Sequence, residues 1–303
     1  MTRTMKYTLA LLLLVSSFSV QSQILEQGLL ETIGEIEGRE NLARVQAAEQ
    51  ILERMGISPV RQDFEFENRG SPANGTNLIS RFGPSNADEG ILVIGAHIDA
   101  VVFRDGSYSD GAIDNAAGSA ILLHLIDRLK SHEFKHPVEF VLFDSEELGL
   151  VGSRHYAEQE NDQIFAMVNI DIGLSGSTVF FGPSSFPKSE ALIDLSLSLC
   201  AEQTTNCVAF PQMPPGDDRS FRAKDIPNIS FAVLPEKQVH QLWLLMNAGD
   251  DSGLAENFAP EILSLIHTPN DKIELIDEES VTLLLNHLES YIVSLDQMTS
   301  PIK

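Results

Sequence analysis

Three short apolar runs in this 303-residue chain are each followed at once by acidic or histidine residues, and this arrangement constrains the fold more than any other feature. The runs are rich in β-branched and aromatic residues, which is typical of buried strands. Because polar sites of open α/β sheets form at the carboxyl ends of the strands, we expect the residues that follow these runs to meet at one sheet edge. The runs are Gly90–Ala96, Val138–Phe143 and Phe165–Ile170.

Predicted strands and helices alternate along the rest of the chain. One or two opening helices are indicated within residues 24–56, where apolar residues have helical spacing (Leu42, Val45, Ala48, Ile51 and Leu52). Such alternation predicts one three-layer α/β domain over residues 23–303, with a mixed, mostly parallel central sheet flanked by helices. The other predicted strands are Val60–Glu67, Thr76–Phe82, Thr178–Gly182, Cys207–Phe210 and Asn228–Leu234, with a turn at Gly70–Gly75, and the other predicted helices are Ala116–Leu129, Ser189–Gln203 and Ser280–Leu295.

Residues 1–22 have the pattern of a secretory signal peptide. Arg3 and Lys6 precede the apolar run Leu9–Val15, and Val20 and Ser22 provide a small-residue cleavage site. The run is too short to span a membrane comfortably, and no later segment of the sequence is typical of a transmembrane helix. We therefore expect a secreted or periplasmic protein without a membrane partner.

Composition narrows the possible partners and the redox state. The formal net charge of −24 at pH 7 argues against nucleic acid and anionic membranes as partners, and we expect a monomer. The two cysteines, Cys200 and Cys207, are close in sequence. In an oxidising compartment such a pair predicts one disulfide, and free thiols are the alternative.

A set of histidine, aspartate and glutamate residues is the strongest functional signal. Their nitrogen and oxygen atoms suit zinc, and one spare carboxylate would serve metal-assisted hydrolysis as a general base. Taken singly, each has an ordinary explanation; Glu146 and Glu147, for example, could form the acidic first turn of a helix. Their joint occurrence, in order and at strand ends, predicts a two-metal hydrolase. The set is His97, Asp99, Asp114, Glu146, Glu147, Asp171 and His267.

Short blocks of sequence surround these residues, and together they resemble metallopeptidase family 28, the co-catalytic di-zinc exopeptidases that include secreted bacterial leucine aminopeptidases. The Glu-Glu-Leu-Gly-x-x-Gly-Ser and Asp-Asn-x-x-Gly blocks are the most specific. The resemblance runs from about residue 90 to the C-terminus, with matching order and spacing. The blocks are Gly95–Asp99, Gly111–Gly118, Phe143–Ser153, Asn169–Asp171 and His267–Asp271.

The resemblance implies two Zn²⁺ ions and a ligand role for five residues. Asp114 would bridge the two ions, and its peptide bond to the next residue would be cis. The remaining ligands would be His97 and Asp171 at one ion, and Glu147 and His267 at the other.

The resemblance also implies roles for two carboxylates that do not bind metal. Glu146 would be the general base, which takes a proton from the attacking water and returns it to the leaving amine. Asp99 would accept a hydrogen bond from the second imidazole nitrogen of His97 and so fix its orientation.

One block departs from the family pattern. The family often has Ser-Asp-His-x-x-Phe in a segment that lines the substrate pocket, whereas this chain has Gly216 for the serine and Asp218 for the histidine. By the resemblance, Asp217, Asp218 and Phe221 would line the pocket, and Phe221 would favour an apolar first residue of the substrate. The segment 235–259 could be a lid or a surface excursion, and we favour the second.

The resemblance implies a secreted zinc aminopeptidase acting on peptide substrates. Surplus carboxylates would attract a substrate amine and repel a terminal carboxylate. A glutaminyl cyclase, which is a one-zinc acyltransferase of the same fold, is an alternative. A carboxypeptidase of the same family is another, with Arg154, Arg219 and Arg222 as candidates for the cationic clamp that it needs. A non-catalytic binding protein would be expected to have lost ligands, and the sequence has lost none.

Overall fold

A mixed sheet forms the centre of the protein. The computed structural model describes residues 27–85, 90–160, 164–173, 175–248, 253 and 258–298, and within them the sheet has eight strands. These are β1 (Val60–Asn68), β2 (Ser71–Phe82), β3 (Ile91–His97), β4 (Val138–Phe143), β5 (Ile164–Gly173), β6 (Thr178–Gly182), β7 (Asn206–Ala209) and β8 (Asn228–Leu234). Their order is β1-β2-β4-β3-β5-β8-β6-β7, and β4, β3, β5 and β8 run parallel. The predicted mixed, mostly parallel sheet is therefore confirmed.

Helices cover both faces of this sheet. They are α1 (Leu29–Ile36), α2 (Asn41–Arg54), α3 (Ala117–Leu129), α4 (Val151–Glu160), α5 (Glu190–Gln203), α6 (Asp218–Arg222), α7 (Glu236–Asn247), α8 (Ile262–Leu265) and α9 (Glu278–Asp296). Leu92 and Ile94 of β3 pack into a core cluster with α1, α2, α3, α5 and α9. Val93 packs on the opposite face, in a second cluster with residues of α4 and α6. Alternate residues of the fully buried strand β3 thus pack into two cores, one on each face of the sheet. This is the three-layer arrangement predicted from the sequence.

The first hairpin is tighter than the sequence indicates. The predicted turn at Gly70–Gly75 is wrong, because β2 already begins at Ser71 and pairs directly with β1. The reversal is made by Arg69 and Gly70, whose φ angles of 52° and 82° bring the two strands together within two residues. Pro72 and Gly75 stand inside a strand, close to the end of a hairpin at the edge of the sheet, where such residues are tolerated.

Helix α2 buries a charged residue and exposes an apolar one. The apolar spacing predicts that Leu42 faces the core, but its side chain is 58% exposed. Arg44 is fully buried in the same turn. The helix is therefore rotated so that a guanidinium, rather than Leu42, points into the molecule.

The C-terminal part also differs from the sequence-based expectation. The sequence predicts a helical stretch at Pro260–Ile266, before His267, and the structure has a shorter helix there, α8 at Ile262–Leu265. Within residues 235–259, α7 packs Val239 and Leu242 into the main core, so this part is a docked helix rather than a lid. Most of residues 249–257 lie outside the described part of the chain.

The predicted disulfide is confirmed. Cys200, near the end of α5, is bonded to Cys207 at the start of the edge strand β7, with a Cα–Cα distance of 6.2 Å. The predicted signal peptide, residues 1–22, lies outside the described residues. Among the helices that are described, none has the length and apolar character needed to cross a bilayer.

Candidate metal centre

The carboxyl ends of β4, β3 and β5 lie side by side and bring together three of the five sequence blocks that contain the candidate metal ligands. His97 is the last residue of β3, and Asp171 lies near the end of β5. Glu146 and Glu147 are in the turn that follows β4. Because β4 and β5 both flank β3 in parallel, all these residues stand at one sheet edge, as predicted.

Two irregular segments supply the remaining residues. Asp114 lies in the turn before α3 with non-helical dihedral angles, and its peptide bond to Asn115 is cis, as the resemblance implies. His267 follows α8 with a left-handed φ of 56°. Both residues are presented by backbone that is neither helix nor strand.

Asp114 stands between two histidines and turns one carboxylate oxygen toward each. Its Oδ1 lies 3.0 Å from Nε2 of His97, and its Oδ2 lies 3.0 Å from Nε2 of His267. Nε2 of His97 is also 3.6 Å from Oδ1 of Asp171, and Nε2 of His267 is 3.3 Å from Oε2 of Glu147. Two groups of donors result, and they share Asp114.

The donor groups fit a pair of divalent cations. The ligand atoms within each group lie within 4.8 Å of one another, and each group combines one imidazole with two carboxylates, a set that zinc accepts. Oε1 of Glu147 is buried without a hydrogen-bond partner among the described residues, and a cation would satisfy it. The groups are His97, Asp114 and Asp171, and Asp114, Glu147 and His267.

The cluster is short of positive charge. Burial raises the pKa of Asp171 and that of Glu147 above the usual carboxyl range. Hydrogen bonds with Asp114 and Glu147 raise the pKa of His267 to about 11. Burial acts to raise the pKa of Asp114 as well, but hydrogen bonds from His267 and His97 outweigh it and hold that pKa below its usual range. A divalent ion that binds here must compete with protons for the same ligand atoms.

Glu146 faces the same space but belongs to neither donor group. Burial raises the pKa of its carboxyl to about 10, and the negative charges of Asp217 and Asp171 reinforce this shift. A carboxyl in this position can hold a proton beside the metal ligands. That is the property expected of a group that transfers protons.

Asp99 connects two of the ligand-bearing segments. Its Oδ1 lies 3.5 Å from Nδ1 of His97, the nitrogen that the resemblance pairs with it, and the hydrogen bond between them stays a prediction. The carboxylate also accepts the backbone amides of Glu146 and Glu147, at 2.9 and 3.1 Å. Asp99 thereby fixes the turn after β4 relative to the end of β3.

Asn115, which is part of the Asp-Asn-x-x-Gly block but had no role of its own predicted, ties the Asp114 turn to β5. Its Nδ2 donates to the carbonyl of Ile170 at 2.9 Å, and its Oδ1 accepts the amide of Ile172 at 3.3 Å. These bonds flank Asp171 on both sides. The same Oδ1 accepts the amide of Gly118 at 3.0 Å, which gives a structural reason for the Asn-x-x-Gly spacing.

A cavity of about 600 Å³ opens over the metal ligands. Its wall combines the acidic and histidine residues with apolar side chains from three loops, the end of β5 and α8. These apolar residues are Leu150, Ile172, Pro214, Pro215, Leu263 and Ile266.

The three residues predicted to line the pocket do not form its wall. Phe221 is fully buried, and its ring packs against Phe143 and Tyr156 in the second core, so its predicted contact with substrate is wrong. Asp217 and Asp218 are also buried and are not among the described residues of the cavity wall, so their part in the substrate pocket stays a prediction. All three side chains are buried, and the short helix α6 packs against β5 and β8.

The candidates for a cationic clamp also lie elsewhere. Arg154 donates to the carbonyl of Gly149 at 2.6 Å and is exposed. Arg219 and Arg222 line a second cavity, of about 300 Å³, together with Pro183 and Met213. No lysine or arginine belongs to the described wall of the cavity over the metal ligands.

The structure places two carboxylate–histidine donor groups at the ends of the parallel strands of a mixed α/β sheet, the arrangement that the resemblance implies. A model of the family described as peptidase family M28 matches residues 77–290, and the chain belongs to this family. The resemblance stated from the sequence blocks is therefore confirmed.

Relatives of known function align over parts of the chain. Aminopeptidase YwaD of Bacillus subtilis (strain 168) is 33% identical over 105 residues, which are 34% of this chain and 22% of that protein. Leupeptin-inactivating enzyme 1 of Streptomyces exfoliatus is 30% identical over 128 residues, 40% of this chain and 27% of that protein. The chain thus matches about a quarter of the length of these relatives.

Solved structures share the fold over most of the chain. BSAP, a zinc aminopeptidase from Bacillus subtilis, has 22% identity and a TM-score of 0.59, covering 75% of this chain and 52% of that one. Porphyromonas gingivalis glutaminyl cyclase has 17% identity and a TM-score of 0.69, covering 88% of this chain and 97% of that one. At these identities the likeness confirms the three-layer α/β fold and does not distinguish the two activities.

Proposed function

We propose that this chain is a secreted, zinc-dependent aminopeptidase that removes the N-terminal residue of peptides, with two zinc ions and Glu146 as general base. The observation that carries the proposal is the pair of donor groups sharing Asp114, with a spare carboxylate beside them. The N-terminal signal-peptide pattern and the Cys200–Cys207 disulfide support export.

The two donor groups have the same kinds of ligand and therefore the same charge. His97 with Asp171, and His267 with Glu147, each offer one neutral imidazole and one carboxylate, and Asp114 is common to both. When bound, two zinc ions lower the pKa of a water molecule toward neutrality and polarise the carbonyl of the scissile bond. The protein contributes a fixed geometry for that chemistry through the bonds of Asp99 and Asn115 to the ligand-bearing backbone.

Glu146 moves the proton that the reaction requires. As the water attacks the carbonyl carbon, its proton passes to the Glu146 carboxylate; as the C–N bond breaks, the same proton passes to the leaving nitrogen. The position of Glu146 in the cavity wall, outside both donor groups, suits both transfers.

The cavity favours an N-terminal substrate residue with an apolar side chain. Its wall carries carboxylates and lacks lysine and arginine among the described residues, which favours an α-amine over a terminal carboxylate. Leu150, Ile172 and Ile266 offer apolar surface beside the ligands. The specificity that the sequence analysis attributed to Phe221 is thus assigned to these residues.

A comparison of matched peptides tests the proposal. Leucine-initiated peptides should be hydrolysed from the free N-terminus, the rate should fall by at least about 100-fold on N-acetylation, and chelation followed by Zn²⁺ should abolish and restore it. Equal turnover of acetylated peptides, or release from the C-terminus, would favour a carboxypeptidase. Ammonia release from glutamine-initiated peptides without peptide-bond cleavage would favour a glutaminyl cyclase instead.

A further inference from the structure

Two fully buried charged side chains outside the donor groups join the segments that carry the ligands. Arg44 comes from α2, far away in sequence, and Asp271 lies four residues after His267. Both have 0% exposure, and neither belongs to the described wall of the cavity. Their partners are backbone groups next to His97 and Asp114.

Arg44 spans two segments with one guanidinium. Its Nε donates to the carbonyl of Ile98 at 2.5 Å, directly after His97, and its Nη2 donates to the carbonyl of Gly111 at 3.0 Å, three residues before Asp114. Its Nη1 donates to the carbonyl of Asp110 at 2.9 Å. The rigid fork of an arginine thus sets the distance between the end of β3 and the turn before α3.

The backbone at Gly111 is packed tightly against this fork. Gly111 has a φ of 56°, and a Cβ added there would lie 3.0 Å from Nη1 of Arg44 and 2.6 Å from Cβ of Ala100. A residue with a side chain would have to move the guanidinium or the loop. The close approach indicates that the relative position of these segments is narrowly defined.

Asp271 makes the corresponding connection for the third segment. Its Oδ1 accepts the amide of Ile113 at 2.6 Å, and its Oδ2 accepts the amide of Asp114 at 3.2 Å. Because His267 precedes Asp271 in the same loop, these bonds fix the loop of one ligand to the backbone of the other. The positive charge of Arg44 lies close enough to attract both Asp271 and Asp114.

Fold stability alone does not account for a buried arginine in α2. A buried charge is costly to desolvate, and well-packed apolar residues often stabilise a core equally well. Arg44 nevertheless occupies the position where the apolar pattern of α2 is interrupted, and all three of its hydrogen bonds reach the two ligand-bearing segments. Its contribution is therefore concentrated at the metal centre.

We propose that Arg44 and Asp271 are positioning residues, which hold His97, Asp114 and His267 in the arrangement that binds zinc without themselves contacting the metal. The inference rests on the proposed function for the identity of the metal. It makes zinc affinity depend on two side chains to which the sequence analysis gave no role.

Zinc titration of the metal-free full chain tests this, with Arg44→Lys and Asp271→Asn as the informative variants. Lysine keeps the charge but cannot reach carbonyls in both segments at once, and asparagine keeps only one accepting oxygen. Zinc affinity should fall about 10–100-fold in each. The absorption spectrum of bound Co²⁺ should change in the same two variants, because the ligand geometry changes.

The chain offers matched controls for both changes. Arg54→Lys alters an arginine of the same helix that forms an exposed ion pair with Glu35. Asp296→Asn alters a buried carboxylate that also accepts two successive amides, of Lys135 and His136, but at the opposite end of β4 from the metal ligands. Both controls should keep the zinc affinity and Co²⁺ spectrum of the wild type, although Asp296→Asn should lose stability to urea.

Zinc affinity within twofold of the wild type in a folded Asp271→Asn protein would overturn the inference. So would an equal loss of affinity in Asp296→Asn, since general destabilisation would then explain both. If Arg44→Lys does not fold, Asp271→Asn decides alone. A wild-type protein that binds zinc but cleaves no peptide would refute the proposed function and leave this inference intact, because binding is the readout.

Discussion

Alanine at position 118 should destabilise the protein and weaken its metal centre together. Gly118 lies in the first turn of α3, and an added Cβ would lie 2.2 Å from Oδ1 and 2.7 Å from Cγ of Asn115. Heavy atoms do not approach so closely, so the Asn115 side chain must move. It can do so only by giving up its bonds to Ile170 and Ile172, on either side of Asp171.

The expected magnitude follows from opposing terms. Glycine to alanine inside a helix ordinarily stabilises by about 0.5–1 kcal/mol. Here a buried amide loses its partners, at a cost of about 1–3 kcal/mol, and overpacking costs about another 1–3 kcal/mol. The free energy of unfolding should therefore fall by roughly 1–5 kcal/mol.

Urea unfolding of the metal-free protein measures this change, with Gly34→Ala as the matched control. Gly34 is also helical, but a Cβ added there meets only Cδ1 of Ile273, at an ordinary 3.8 Å. The control should gain about 0.5–1 kcal/mol and keep its zinc affinity, whereas Gly118→Ala should lose both stability and affinity. If the free energy of unfolding changed in the same direction in both variants, the steric argument would be refuted.

Glu146 and Glu147 should give different phenotypes when changed to glutamine. Glu146→Gln should bind as much zinc as the wild type and lose activity by about 10²–10⁴-fold, whereas Glu147→Gln should lose zinc. The control Glu158→Gln, at an exposed position, should keep both zinc and activity. Metal content and peptidase rate are measured on the same samples, and the opposite pattern would show that the base and the ligand are assigned the wrong way round. Acid should destabilise the fold through His124 and His287, because burial lowers the pKa of each to about 4 from a reference of 6.5. The unfolded chain then binds more protons below pH 6.5, so stability is lost as the pH falls from 6.5 toward 4, by up to about 2 kcal/mol per histidine at pH 5. Urea unfolding with a chelator at pH 7 and pH 5 should show a smaller acid loss for His287→Gln than for the wild type, and equal losses would contradict the assignment.

The central strands and the ligand positions follow from local patterns in the sequence. β4, β6 and β8 have the predicted bounds, because strands buried on both faces form continuous apolar runs. The placement of His97 and Asp171 at one edge follows from β3 and β5, which the apolar runs also predict. The cis bond after Asp114 is present, as the resemblance implies.

The orientation of short or interrupted elements could not be predicted in this way. Helix α6 has only five residues, so its own periodicity does not say which side faces the core, and packing against β5 and β8 turns Phe221 inward. In α2, hydrogen bonds to distant carbonyls favour Arg44 over Leu42 in the interior. The role of Asp271 likewise depends on hydrogen bonds from two backbone amides more than 150 residues earlier in the chain. These contacts depend on the tertiary fold and leave no periodic signal.

The zinc content of the purified protein tests the central claim most directly, namely that Asp114 is shared by two donor groups. Elemental analysis of folded protein at neutral pH should find two zinc ions per chain in the wild type, one in His267→Ala and none in Asp114→Ala. A wild-type stoichiometry of one, or an Asp114→Ala protein that keeps both ions, would contradict the account.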